Sequence, residues 1–320
     1  MYRIGIDLGG TNIAVGLVNE KYEIVSKTST PTLAAERSAE ELADKMAELC
    51  RTVCGDRGLL LADVEAIGVA CPGAVDVSNG VVGYCNNFAF DTFPVVELLR
   101  RKTGVKRVYA ENDANAAAWG EAVAGAAKGT KSSVMVTLGT GVGGGVVIDG
   151  KLFSGCNGAG TELGHMVIER GGVPCTCGRR GCWEVYSSAT ALVRMTKEKM
   201  EECAHTGRKT VMHKLAEARG KINGRTAFDA MRRGDAAASE VVGEYLSYLA
   251  TGLANMINIF RPEVLSIGGG ISGEGEALLR PLLPLIDREK YGGEITPDTK
   301  VTIARLGNDA GIIGAAFLEI

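Results

Sequence analysis

Two stretches of the chain, about 130 residues apart, share one order of elements: strand, glycine loop, strand, tight turn, strand. In the first, residues 2–7 read as a strand and 8–11 as a glycine loop. Residues 12–18 form a second strand, and 22–28 complete a three-stranded meander. In the second, 133–138 read as a strand, 139–143 as a glycine loop and 144–148 as a strand. Asp149-Gly150 then turns the chain into 151–154. Two such copies imply two domains of related topology, and 320 residues is the length usually spread over about two domains.

The elements between and after the copies read as mixed α/β. Ser38 and Glu41 form a capping box, with Leu42, Met46, Leu49 and Val53 on one helical face behind it. A strand over 64–70 ends at Cys71-Pro72-Gly73, and a short strand over 108–110 delivers Glu111-Asn112-Asp113 to its end. An alanine-rich helix is expected over 115–127 and the longest helix over 236–260, stopped by Arg261-Pro262. A strand over 263–267 enters Gly268-Gly269-Gly270, 301–305 forms a last strand, and 310–318 a terminal helix. Little can be read from 196–235. The expected division is a small domain of 1–114 plus 305–320, closed by the C-terminal helix, and a large domain of 115–304.

Composition narrows the setting. Net charge is −3, and no basic run is long enough to suggest nucleic acid or an anionic membrane. No apolar run approaches the roughly 20 residues that span a bilayer. The N-terminus begins directly on strand-like sequence, so no signal peptide is visible, and nine cysteines fit a reducing cytoplasm better than a disulfide framework. Gly, at 44 residues, is concentrated in short clusters of the kind that approach ligands.

One such cluster carries metal chemistry. His165, Cys175, Cys177 and Cys182 fall within eighteen residues, in GHMVIERGGVPCTCGRRGCWE (164–184). Buried free thiols are the bland alternative, but a C-x-C-x4-C spacing in a Gly- and Arg-rich loop does not read as core. Three thiolates and one imidazole fill every tetrahedral position of Zn²⁺, so the ion is expected to be structural; a catalytic zinc keeps a position open.

The loops DLGGTN (7–12) and LGTGVGGG (138–145) carry phosphate chemistry, because glycines bring backbone N–H groups close to anions and Thr11 and Thr140 add hydroxyls. Asp7, at the end of its strand, can hold a hydrated Mg²⁺. The run 139–144 satisfies G-x-G-x-x-G, but that fingerprint needs a helix directly after it and a strand follows here, which excludes a dinucleotide site. No P-loop spacing occurs. Asp113 is the candidate general base for a hydroxyl acceptor, with a helix cap as its alternative role.

Together these pieces resemble the ROK family of sugar kinases and sugar-responsive repressors. The matching motifs are IGIDLGGTNI (4–13), ACPG (70–73), ENDAN (111–115), TLGTGVGGG (137–145), ELGH (162–165), CTCGRRGCWE (175–184), SIGGGIS (266–272) and DAGIIGAA (309–316). The resemblance implies a two-domain actin/Hsp70/hexokinase-type fold, made of duplicated ribonuclease-H-like domains with an interdomain cleft. It implies that Asp7, Gly9, Gly10 and Thr11 form the first phosphate loop and Gly139, Thr140 and Gly141 the second, with Gly269 near the adenosine. Asp113 corresponds to the catalytic base. Gly73, Asn87, Asn112, Glu162, His165 and Glu184 correspond to sugar-binding positions, His165 also being a zinc ligand. Residues 87–89 depart from the Asn-Leu-Pro usual in family glucokinases.

The activity implied is ATP- and Mg²⁺-dependent phosphorylation of a hexose, glucose first, in a cytoplasmic homodimer or homotetramer. The rivals are an N-acetylmannosamine kinase or another ROK hexose kinase, and a repressor lacking its DNA-binding domain. Repressors of the family carry roughly 80 residues of helix-turn-helix before the first glycine loop; here three residues precede Ile4.

Overall fold

The computed structural model describes residues 1–85, 88, 92–292 and 298–319, so Asn87 lies outside the described residues. The strands are β1 (Tyr2–Leu8), β2 (Asn12–Asn19), β3 (Ile24–Pro31), β4 (Val64–Cys71), β5 (Ala74–Asp76), β6 (Val81–Tyr84), β7 (Val108–Asn112), β8 (Ser133–Leu138), β9 (Val142–Ile148), β10 (Lys151–Phe153), β11 (Val264–Gly268) and β12 (Lys300–Ile303). The helices are α1 (Ala39–Gly55), α2 (Val95–Thr103), α3 (Asp113–Val123), α4 (Glu184–Ser187), α5 (Ala189–Thr206), α6 (Met212–Ala218), α7 (Thr226–Arg232), α8 (Ala236–Phe260), α9 (Glu276–Glu289) and α10 (Ala310–Ala316).

The expected duplication is present in the strand orders, β3-β2-β1-β4-β7 in one sheet and β10-β9-β8-β11-β12 in the other. In each, three consecutive strands are joined to two later ones. β2 pairs antiparallel with β1 and β3, whereas β1/β4 and β4/β7 are parallel. In the second sheet β9/β10 is antiparallel and β11/β12 parallel. The helix expected at 115–127 begins earlier, at Asp113, and the strand expected at 144–148 begins at Val142.

The chain divides into two compact units: 1–135, 145–161 and 305–320 in the first, 136–144 and 162–304 in the second. The first unit therefore runs past the boundary expected at residue 114. The physical reason is the small-residue packing of α3 on α10. A Cβ on Gly120 would lie 2.3 Å from the Ala310 carbonyl oxygen, and one on Gly314 1.7 Å from that of Ala116. The same helix lies on the sheet, where a Cβ at Gly5 or Gly68 would meet the Ile312 or Ala315 carbonyl within 1.8 Å. The other face of β1 sends Ile4, Ile6 and Leu8 into a core shared with Leu42, Met46, Leu49 and Val53 of α1. Ser38 and Glu41 form the capping box that starts α1.

In the second unit α8 is the central helix. Its face of Tyr245, Leu249, Leu253 and Ile257 is buried, and it ends at Arg261 in the left-handed region. The stretch 196–235 holds the end of α5 and the short helices α6 and α7. No helix among the described residues is long and apolar enough to cross a membrane.

Candidate active site

In the first unit the glycine loop 9–11 is held from one side by Thr32, which is fully buried. Thr32 donates its hydroxyl to the Gly9 carbonyl at 2.6 Å and its N–H to the Thr11 carbonyl at 2.8 Å. Gly10 and Thr11 are left exposed. Thr32 carries no sequence signal, because its partners are more than twenty residues away. Asp7 sits at the root of this loop against the start of α10, where a Cβ on Gly311 would lie 3.3 Å from its Oδ2. Burial raises the Asp7 carboxyl to about 6, the charge of Asp113 adds to the rise, and Lys27 opposes it. Two carboxylates that sense each other, one exposed and one buried, suit a site for a cation and a proton.

The end of β7 shows which residue caps α3. The cap of α3 is Asn112, whose Oδ1 accepts the N–H groups of Ala114 and Asn115 at 2.9 and 3.2 Å. Its Nδ2 donates to the Gly73 carbonyl at 3.0 Å, which holds Gly73 at φ 86°. Asp113 is the first helical residue, and its carboxylate is exposed, with Oδ1 on the Ala114 N–H. Behind them is a network that residue-type reasoning passed over, although two of its members, the buried Glu111 and Asn115, lie in the ENDAN motif. Glu111 Oε1 accepts from the Asn112 N–H (2.8 Å) and from Asn115 Nδ2 (3.1 Å), while Asn115 Oδ1 accepts the Thr161 hydroxyl at 2.8 Å. Burial raises the Glu111 carboxyl, and those two donors resist the rise. Thr161 has φ 63°, a costly conformation for a β-branched residue, on the position just before Glu162.

In the second unit the loop 139–141 precedes β9, a strand, as the exclusion of a dinucleotide site requires. Gly269 lies on the backbone that leads into this loop: a Cβ there would fall 2.6 Å from the N, C and O of Leu138. Gly164 of the ELGH motif is similarly close, with Val142 O only 2.1 Å from a built Cβ. The exposed Glu162 precedes a short 3-10 turn, Leu163–His165, in which the His165 N–H bonds to the Glu162 carbonyl.

His165, Cys175, Cys177 and Cys182 converge, with their ligand atoms all within 4.8 Å of one another. His165 Nδ1 lies 3.7 Å from Cys175 Sγ, and Cys177 Sγ 3.6 Å from Cys182 Sγ. Tetrahedral zinc with Zn–S bonds near 2.3 Å implies S···S edges of about 3.8 Å, so the donor set fits the ion. The Arg179 N–H lowers the Cys177 thiol and burial pushes Cys182 up to about 12; a bound cation would favour the thiolate form of each. Glu184 adjoins the cluster, with Oε1 3.9 Å from Cys175 Sγ and Oε2 accepting the Val142 N–H at 3.0 Å.

A family model described as the ROK family matches residues 3–320. The chain belongs to the ROK family. It is 40% identical over 320 residues to a glucokinase of Thermotoga maritima, covering 98% of this chain and 96% of that protein. It is 36% identical to a glucokinase of Streptomyces coelicolor, with 98% and 96% covered. Among solved structures, a ROK family glucokinase from Streptomyces griseus in complex with glucose and AMPPNP matches with a TM-score of 0.81 and 36% identity, over 99% of this chain and 98% of that one. The ROK chain accordingly has the two-domain actin/hexokinase-type α/β fold.

Proposed function

We propose that this ROK protein is an ATP-dependent glucokinase that transfers the γ-phosphoryl group of ATP to the 6-hydroxyl of glucose, with Asp113 as general base. The observation that carries the mechanism is the capping of α3 by Asn112, which leaves the Asp113 carboxylate exposed at the end of β7. As the sugar oxygen attacks phosphorus, Asp113 accepts its proton and ADP departs with the bridging electron pair. Asp7 would hold a hydrated Mg²⁺ carried by the nucleotide, and loops 9–11 and 139–141 would supply N–H groups to its phosphates. Gly269 would lie near the adenosine.

Asn112, Gly73, Asn87, Glu162, His165 and Glu184 are proposed as the sugar-binding set. His165 Nδ1 faces the cysteines, so Nε2 is the ring atom left for a sugar hydroxyl. Carboxylates that accept hydroxyl hydrogen bonds suit a neutral polyol and repel a phosphorylated one. We also propose one structural Zn²⁺ on His165, Cys175, Cys177 and Cys182, whose chemistry when bound is to fix the loop that carries His165 and leads to Glu184. A cytoplasmic setting and a homodimer or homotetramer complete the reading; sedimentation velocity tests the last.

An ADP-release assay across glucose, mannose, fructose, N-acetylglucosamine and N-acetylmannosamine tests the function. Glucose is expected to give the highest kcat/KM. Preference for N-acetylmannosamine would move the protein to that kinase activity, and turnover of none of the five would leave sugar sensing as its role.

A further inference from the structure

The segment after the last cysteine of the cluster grips the second glycine loop at three points. Glu184 Oε2 accepts the Val142 N–H at 3.0 Å, the Ala189 N–H donates to the Gly139 carbonyl at 2.8 Å, and the Thr190 hydroxyl donates to the Thr140 carbonyl at 2.7 Å. The fit is close enough that a Cβ on Gly141 would come within 2.2 Å of Glu184 Oε2. The gripping segment is itself fixed. Trp183 is fully buried and donates its indole N–H to the Tyr248 carbonyl at 3.1 Å. Its ring fills the space where Gly252 of α8 lacks a side chain, and the Tyr245 hydroxyl donates to the Ser187 carbonyl at 2.7 Å.

In a trans peptide the C=O and the following N–H point in opposite directions. Pinning the Gly139 carbonyl toward Ala189 therefore turns the Thr140 N–H away from the grip. Pinning the Thr140 carbonyl toward Thr190 does the same for the Gly141 N–H. Neither N–H has a protein acceptor among the described residues. We infer that Thr190 is a positioning residue for the phosphoryl donor: by holding the Thr140 carbonyl it aims the Gly141 N–H at a phosphate oxygen of the nucleotide. Glu184 and Ala189 hold the two ends of the same loop. The inference rests on the reading that nucleotide phosphates sit on 139–141, and it extends the work of this segment from the sugar to the donor.

Thr190→Val, in the full-length zinc-loaded protein, keeps the side-chain shape and removes the hydroxyl. One neutral hydrogen bond is worth about a fivefold change in an equilibrium constant, so Kd for AMP-PNP by calorimetry and KM for ATP should both rise about fivefold. KM for glucose, zinc content and Tm should hold, and Thr190→Ser should restore nucleotide affinity, which a role confined to folding would not produce. Equal AMP-PNP affinity in wild type and Thr190→Val overturns the positioning role while leaving kinase activity untouched, as does an equal rise in KM for glucose. A wild-type protein that binds no AMP-PNP overturns both this inference and the kinase reading.

Discussion

At the start of α3 two chemically similar neighbours, Asn112 and Asp113, are given different tasks by the backbone. Asn112 lies in the extended region at the cap, so its amide spans the first turn and Gly73; Asp113 is already helical and keeps its carboxylate outside. Asp113→Asn retains the shape but not the basicity, and we expect kcat to fall by ~10²–10⁴, with glucose affinity by calorimetry within about threefold of wild type, since general-base catalysis rather than binding is removed. Near-normal turnover would take Asp113 out of the mechanism. Asp7 makes a pH-dependent prediction. A carboxyl raised from 3.8 to about 6 favours the protonated form by roughly 3 kcal/mol. Its folded form binds the proton more tightly than the unfolded chain does, so stability declines as pH rises from about 4 through 6 and is level above that. Asp7→Asn should therefore raise Tm at pH 7.5 and change it little at pH 3.5, measured without Mg²⁺ or nucleotide. A stabilisation of the same size at both pH values would trace the effect to packing against Gly311.

Among the elements, the loop from Cys175 to Cys182 has little apolar material with which to hold itself. Arg179 and Arg180 are exposed, and Gly181 lies so close to Glu169 that a Cβ would meet its carbonyl oxygen at 1.6 Å. Metal binding energy is folding energy in such a loop. Purified protein is expected to contain about one zinc per chain, given four donors and one tetrahedral ion. Cys177→Ser should lower zinc content and Tm together. Well-folded, active enzyme with no zinc by elemental analysis would refute the assignment. Chelator treatment should also weaken glucose binding, because His165 belongs to both the metal set and the proposed sugar set.

For the molecule as a whole, the notable fact is that the first unit is assembled from three separated stretches of chain. Its last stretch contributes α10, whose backbone packs directly on β1, β4 and α3 at Gly5, Gly68 and Gly120. No side chain from elsewhere can fill a gap of backbone width. Deleting 305–320 removes none of the proposed site residues, yet it should abolish the cooperative thermal transition of the first unit and with it activity. A truncated protein with wild-type near-ultraviolet circular dichroism and an unchanged melt would show that α10 is dispensable.

Much of this protein follows from local sequence alone. The hairpin-linked strands around 9–11 and 139–141 are set by alternation and glycine, α1 by its capping box, and the limits of α8 by Asp235 and Arg261-Pro262. The four candidate metal donors are legible because three of them share one short loop and carry unusual chemistry. Other features depend on partners far away in the chain and leave no mark in a window of sequence. Thr190 reaches a carbonyl fifty residues distant, Thr32 ties a loop through its buried hydroxyl, and Thr161 is forced to positive φ beside Asn115. Whether Asn112 or Asp113 caps α3 also lay beyond composition, since both are good caps and only the path of β7 into the helix assigns the position. Residue chemistry determines which groups are available; the tertiary path of the backbone determines which of them are consumed by hydrogen bonds and which remain for a ligand.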